Sequence, residues 1–270
     1  AVVTGPYTVE ADGGKTWEGK TILIATGSHP ARPPIPGLDL PGVATSDELL
    51  ADLRGRERMV IIGGGVIRVE LAYVWAATGC KVTILEAMDR LIANMDRELS
   101  QGLAFQLKKD GVEVFTGASV ERILPGPTVE FTHKGETRAL EADAVLVATG
   151  RRPATCHLFN GLEPAMERGF LTVDSQFRTS IPSVYAIGDA IGGVMLAHKA
   201  EAEGRYVADL LLGRTPQQAL SPIPSCVYTD PELAQVGLTA DEAKAEGIPY
   251  VTGKCVMGGN GRIMIEGGKR

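Results

Sequence analysis

Apolar positions along the chain fall into short runs that end in glycine, and two of these runs close on the same three letters. TILIATG, ending at Gly27, and AVLVATG, ending at Gly150, each read as a buried strand stopped by glycine. Ahead of the first, YTVEA followed by Asp12-Gly13-Gly14 predicts a short hairpin. Behind it, SHPARPPIPGLDLPG carries five prolines in fifteen residues and can form neither a helix nor a central strand. From Arg58 the pattern becomes strand–helix–strand. MVIIG reads as a strand, and Val66 to Thr78 has helical spacing with Val69, Ala72, Tyr73 and Ala76 on one face. Gly79 ends it and KVTILE is the next strand. Asp96 is placed to cap a helix through Lys109, closed by Asp110-Gly111, and VEVFTG follows as a strand. ERILPG, TVEFTH and ETRAL alternate with period two and predict an antiparallel excursion before AVLVATG. VYAIGDAIGG then stops at Gly188-Asp189, a helix spans Leu196 to Leu212, and SPIPSCVYTDPE is broken by proline. The remainder reads as short strands around one helix, Asp241 to Glu246, ending at GGKR with no closing element.

Because the two ATG strands bracket the strand–helix–strand block, the pattern predicts an α/β chain in which one domain interrupts another. Residues 42–152 are the insert, 1–41 and 153–219 are two segments of the outer domain, and 220–270 begin a further α+β domain.

Composition narrows the partners. At 270 residues with 44% apolar side chains the chain can bury a sizeable core, and a net charge of −6 without a Lys/Arg block gives no surface for nucleic acid or anionic membrane. No apolar run approaches the ~18 residues of a membrane span, and AVVTGPYTVE lacks the layout of a signal peptide, so a cytoplasmic location is expected. Cys80, Cys156, Cys226 and Cys255 lie far apart, with no C-x-x-C or C-x₄-C pair, and His29, His133 and His157 have no ligand spacing; no metal site is expected.

The chemistry concentrates at VIIGGGVIRVE, residues 60–70. Gly63-x-Gly65 sits between strand and helix: the first glycine turns the chain, the second lets backbone approach a pyrophosphate, and the N–H groups of Val66 and Ile67 open a helix whose positive end attracts that anion. Glu86 lies 21 residues beyond Gly65 at the next strand end, where a carboxylate can hold both ribose hydroxyls of an adenosine. A structural glycine turn is the alternative, but strand, glycines, helix, strand and acidic end together favour a dinucleotide. Ala87, Met88 and Asp89 offer no arginine for a 2′-phosphate, so NAD(H) is expected over NADP(H). One residue departs from the pattern: Arg68 stands where a third glycine would let helix and strand pack closely. Forcing a large side chain into such contact costs roughly 1–3 kcal/mol unless its stem extends to water. Its charge opposes the helix dipole but can meet a pyrophosphate oxygen. The expectation is that Arg68 shifts the helix start and weakens NAD(H) binding without abolishing the fold.

The succession ATG, GGGVIxVE, ATGRRP, YAIGD, MLAHKAEAEG and YTDPE resembles the flavoprotein disulfide reductases, FAD-dependent pyridine nucleotide-disulfide oxidoreductases, over nearly the whole chain. MLAHKAEAEG and GGNGRI are similar to their dihydrolipoamide dehydrogenase branch. The resemblance implies a Rossmann-like NAD domain inserted into a FAD domain, followed by a dimer-interface domain. It places Thr26-Gly27 near FAD and Thr149-Gly150, with Arg151, near NAD. Gly188-Asp189 falls at the FAD ribityl and pyrophosphate region, and Met195, Leu196, Ala197 and His198 at the flavin pyrimidine edge, where a helix start would favour reduced flavin. Glu70 matches a glutamate beside nicotinamide and flavin that pairs with a lysine. His198 is expected to contribute backbone or packing, not acid–base chemistry. In the family a dithiol such as dihydrolipoamide reduces FAD through a C-x₄-C pair, a His–Glu dyad moves the proton, and NAD+ takes the hydride in a homodimer. The Cys pair with its following lysine, the first FAD glycine fingerprint and the His-Pro and Glu segment that the family carries near its C-terminus do not occur in this sequence. The chain is therefore expected to be the central part of such an enzyme, inactive alone, with no catalytic residue assigned. A non-catalytic nucleotide-binding module or a related reductase of another disulfide are the alternatives.

Overall fold

In a computed structural model, residues 1–52, 54–217 and 220–265 are described; the terminal GGKR and the expected boundary at 219 lie outside them. The chain divides into two compact units, Ala1–Gly237 and Leu238–Arg270.

The centre of the first unit is a five-stranded parallel sheet in the order Val43–Ala44, Ala144–Val147, Arg58–Ile62, Lys81–Glu86, Glu113–Thr116. Its strands read as nearly unbroken apolar runs because both faces are covered. Met59, Ile61, Val82, Ile84 and Leu146 face one side and pack on Val69, Ala72 and Trp75 of the helix Val66–Ala77 and on Leu103 and Leu107 of the helix Arg97–Lys109. Alternate residues Val60, Ile62, Leu85, Val145 and Val147 face the other side, against Ile123, Val129 and Phe131. Those three belong to an antiparallel sheet of Ala118–Leu124, Thr128–His133 and Glu136–Glu141, the excursion read from the alternating pattern. Asp96 caps its helix as expected, accepting from the Glu98 N–H. The buried stripe of the Val66–Ala77 helix is wider than the sequence face: Leu71 and Trp75 are buried with Val69 and Ala72, because the 91–95 segment packs on the same side.

The chain on either side of this block is joined by a parallel pair, Ile22–Ile24 with Val184–Ala186. Val3, Ile22, Ile24, Leu171, Val184 and Ala186 form its core. Ser28–Pro30 and Arg151–Pro153, the residues just past the two ATG turns, pair antiparallel. The N-terminal hairpin is present, with Thr8–Ala11 paired to Lys15–Glu18 and to a further strand, Val2–Gly5.

The second unit holds the helix Ala240–Ala245, started by a reciprocal cap between Thr239 and Glu242. Of the short strands expected after the proline-broken segment, Leu233–Gln235 forms in the first unit, paired antiparallel with Ser225–Val227; in the second unit the described residues show a short helix, Gly261–Ile265, and no strand. A strand needs a hydrogen-bonded neighbour, and Val251 and Val256 instead stand exposed in irregular backbone. No helix among the described residues is long and apolar enough to cross a membrane.

Candidate functional site

The strand Arg58–Ile62 delivers its backbone to Gly63, whose φ of 104° is open to glycine and strained for other residues. Gly64 is enclosed: a Cβ there would lie 2.6 Å from Leu91 Cδ2. Gly65 is the N-cap of the following helix and offers no side-chain cap, so the first N–H groups of that helix, Val66 and Ile67 included, lack a side-chain acceptor. Glu86 ends the neighbouring strand and reaches back to the turn. Its Oε2 accepts a short hydrogen bond from the Gly64 N–H and its Oε1 accepts from the Met88 N–H at 2.6 Å. The carboxylate is thereby fixed at the mouth of a cavity of about 350 Å³ lined by Ile35, Ile62, Gly63, Arg68, Glu86 and Thr149.

Arg68 corrects the sequence reading. The helix start is not displaced: it begins at Val66, as the glycine spacing predicts. The side chain does not extend to water either. It turns back over the glycines, and a Cβ on Gly63 would lie 2.9 Å from its Nε, one on Gly65 2.5 Å from its Nη1. The reason is helix geometry, since side chains in the first turn lean toward the N-terminus. Burial lowers the pKa of the guanidinium from its ordinary value, the Glu86 charge opposing, and its Nε has no hydrogen-bond partner.

Glu70, one turn into the helix from Val66, accepts from the Tyr228 N–H at 2.8 Å.

Beyond the Thr149 wall of that cavity, three positions expected at nucleotide sites converge on Ser28, which the sequence reading does not single out. Ser28 follows Gly27 and donates to the Asp189 carboxylate at 2.5 Å; Arg151 follows Gly150 and donates from Nε to Ser28 Oγ at 2.6 Å and from Nη2 to Ser28 O at 2.8 Å. Thr26-Gly27, Gly150-Arg151 and Gly188-Asp189 are thus tied into one cluster. Gly188 is held in turn: its N–H donates to Glu203 Oε2 at 2.7 Å, and Glu203 Oε1 pairs with Lys199 Nζ at 2.8 Å. The Lys–x₃–Glu spacing in AHKAEAEG was the available signal, because residues four apart share a helix face. That helix, Ala197–Leu211, has Leu196 as N-cap and no side-chain cap, leaving the N–H groups after Met195 and Leu196 open for an anion. His198 Nε2 lies 2.8 Å from the Pro224 carbonyl oxygen, which ties the ring to backbone.

The residues present can be tested against two nucleotides. Glu86 has the position and charge for the ribose hydroxyls of NAD(H), while the glycine turn accepts a pyrophosphate only if Arg68 moves. The uncapped start of Ala197–Leu211 and the acidic end at Asp189 suit the flavin edge and ribityl chain of FAD.

A five-stranded parallel sheet with a glycine turn and an acidic strand end, together with a parallel strand pair that runs into Gly188-Asp189, defines the class as an α/β nucleotide-binding protein. Residues 1–204 match the pyridine nucleotide-disulphide oxidoreductase family and residues 223–270 match the dimerisation domain of the pyridine nucleotide-disulphide oxidoreductases; the chain belongs to this family. It is 38% identical over 270 residues to the dihydrolipoyl dehydrogenase of Geobacillus stearothermophilus, covering 95% of this chain and 55% of the relative. It is 39% identical over 275 residues to the mitochondrial dihydrolipoyl dehydrogenase of Dictyostelium discoideum, covering 96% and 56%. Among solved structures, the HOCl-induced flavoprotein disulfide reductase RclA from Escherichia coli superposes with a TM-score of 0.86 at 31% identity, over 99% of this chain and 62% of that one. The chain spans a little over half the length of these curated relatives.

Proposed function

We propose that the chain is the NAD(H)-binding and flavin-contacting part of a disulfide reductase of the dihydrolipoamide dehydrogenase type, which passes electrons from a dithiol through FAD to NAD+. The observation that carries the reading is the pairing of the Gly63–Gly65 turn with Glu86, fixed by the Gly64 and Met88 N–H groups. In this reading Glu86 receives the adenosine ribose, Val66 and Ile67 offer N–H groups to the pyrophosphate, and Glu70 lines the nicotinamide end. Gly150 and Arg151 follow Thr149 of the cavity wall on the NAD(H) side, with Arg151 linking that edge to Ser28 and Asp189. Thr26, Gly27, Gly188 and Asp189 hold the FAD chain, Asp189 accepting from ribityl hydroxyls, and the N–H groups of Met195, Leu196, Ala197 and His198 face the pyrimidine edge. FAD, when bound, supplies the two-electron carrier; the chain's own groups orient it and favour negative charge at the helix start.

The division into 1–41 and 153–219 around 42–152, with 220–270 as interface, belongs to the same proposal, as do the homodimer and a cytoplasmic location. Support for the dimer is the dimerisation-domain match; the Dictyostelium relative is mitochondrial by name. A non-catalytic nucleotide-binding module is the second reading. Purification decides between them. A yellow protein whose flavin band bleaches with NADH supports the reductase; a colourless one that binds NADH supports the module.

A further inference from the structure

The arginine at the third-glycine position has a role that no family pattern supplies. Its guanidinium lies against the bare Cα faces of Gly63 and Gly65, so close that a Cβ on Gly65 would come within 2.5 Å of Nη1. The missing Cβ at such a glycine is what admits a pyrophosphate to the backbone. Guanidinium and pyrophosphate therefore require the same volume. The guanidinium is also weakly held there. Its Nε is buried without a partner, its charge faces the positive end of the Val66–Ala77 helix, and the nearest carboxylate, Glu86, is already bound by two backbone N–H groups.

We propose that Arg68 is a displaceable plug in the dinucleotide cradle, lowering affinity for ligands with a pyrophosphate while leaving the adenosine end at Glu86 open. The inference rests on the NAD(H) reading of this site. Binding requires the guanidinium to swing off the glycines, and the work of displacing a packed, desolvated group is subtracted from the affinity. The phosphate contact regained after the swing does not restore it, because the displaced arginine reaches the pyrophosphate from the solvent side, where charge pairs are screened. Nucleotides that end at the adenosine ribose make no demand on the plugged volume and do not bear this cost.

The test is a fluorescence titration of NADH, with adenosine as competitor, into the chain and its Arg68→Gly and Arg68→Ala variants, each checked by far-UV circular dichroism. Arg68→Ala keeps helix propensity where glycine lowers it. Expected is NADH binding about tenfold tighter or more in either folded variant, with adenosine affinity changed less than threefold. Equal or weaker NADH binding by the folded variants overturns the plug while leaving the NAD(H) reading intact. Equal tightening for adenosine also overturns it, since the gain then has no link to the pyrophosphate. Absence of NADH binding in all three folded proteins overturns the NAD(H) reading, and the plug with it.

Discussion

Replacing Glu203 by glutamine removes one charge from a buried pair and leaves the rest of the local geometry in place. The Glu203 side chain is 6% exposed and that of Lys199 14%, so neither charge is screened as a surface pair would be. Breaking a buried pair costs roughly 3–5 kcal/mol, because the surviving ion is left desolvated. Two features lower that figure. Lys199 keeps a hydrogen bond to the Gly192 carbonyl at 3.2 Å, and the glutamine oxygen can still accept from the Gly188 N–H. The expected loss is about 2 kcal/mol for Glu203→Gln and about 3 kcal/mol for Glu203→Ala, which also orphans the Gly188 N–H. Removing both charges in Lys199→Met/Glu203→Gln should return stability to within about 1 kcal/mol of the parent, since no unpaired ion remains. Urea unfolding of the parent, Glu203→Gln, Lys199→Met and the double variant, followed by circular dichroism, closes a double-mutant cycle that measures the coupling. A loss under ~0.5 kcal/mol for Glu203→Gln, or a double variant as unstable as the single one, would refute the assignment of Glu203 as the buried support of the Gly188-Asp189 turn.

Two further outcomes follow from local environments. Burial raises the Cys80 thiol pKa, with Asp143 adding to the shift, whereas Cys156 and Cys255 are exposed; a thiol reagent at neutral pH should modify the latter two rapidly and Cys80 only on unfolding, as read by mass spectrometry. Hydrogen bonds from backbone N–H groups hold the carboxylates of Glu48, Glu242 and Asp143 below their ordinary values, those of Thr45, Thr239 and Arg58 being the largest causes. Since their folded pKa values lie below the unfolded ones, their contribution is present at neutral pH and lost as pH falls below about 4. Urea midpoints at neutral and acid pH should therefore differ less in Glu48→Gln/Glu242→Gln than in the parent, and an unchanged difference would contradict the capping account.

The features legible in the sequence were those fixed by neighbours in the chain. Met59 to Ile62, the glycines after them and Glu86 announce a strand, a turn and an acidic strand end because period and turn chemistry act over a few residues. Asp96 declares its helix for the same reason. The Thr45–Glu48 cap is also written locally; it starts a helix, Ser46–Ala51, at the edge of the proline-rich connector, where the prolines mask its signal. What the sequence could not display depends on topology. Ser28 meets Asp189 across 161 residues because Ile22–Ile24 pairs with Val184–Ala186, and Arg151 across 123 because Ser28–Pro30 pairs with Arg151–Pro153. Leu91 closes over Gly64 for a similar reason, through packing between segments. Arg68 was recognised as a departure, but its direction depended on a choice between water and the glycine turn. The backward lean of first-turn side chains decides that choice.

The central claim is that Glu86 and the glycine turn form an NAD(H) site, and nucleotide preference tests it most directly. The Glu86 carboxylate, fixed by the Gly64 and Met88 N–H groups, should accept the adenosine ribose hydroxyls and repel a 2′-phosphate. Parallel titrations of NADH and NADPH into the folded chain should show NADH bound at least about tenfold more tightly, a difference of ~1.4 kcal/mol. Equal affinity, or tighter binding of NADPH, would contradict the account.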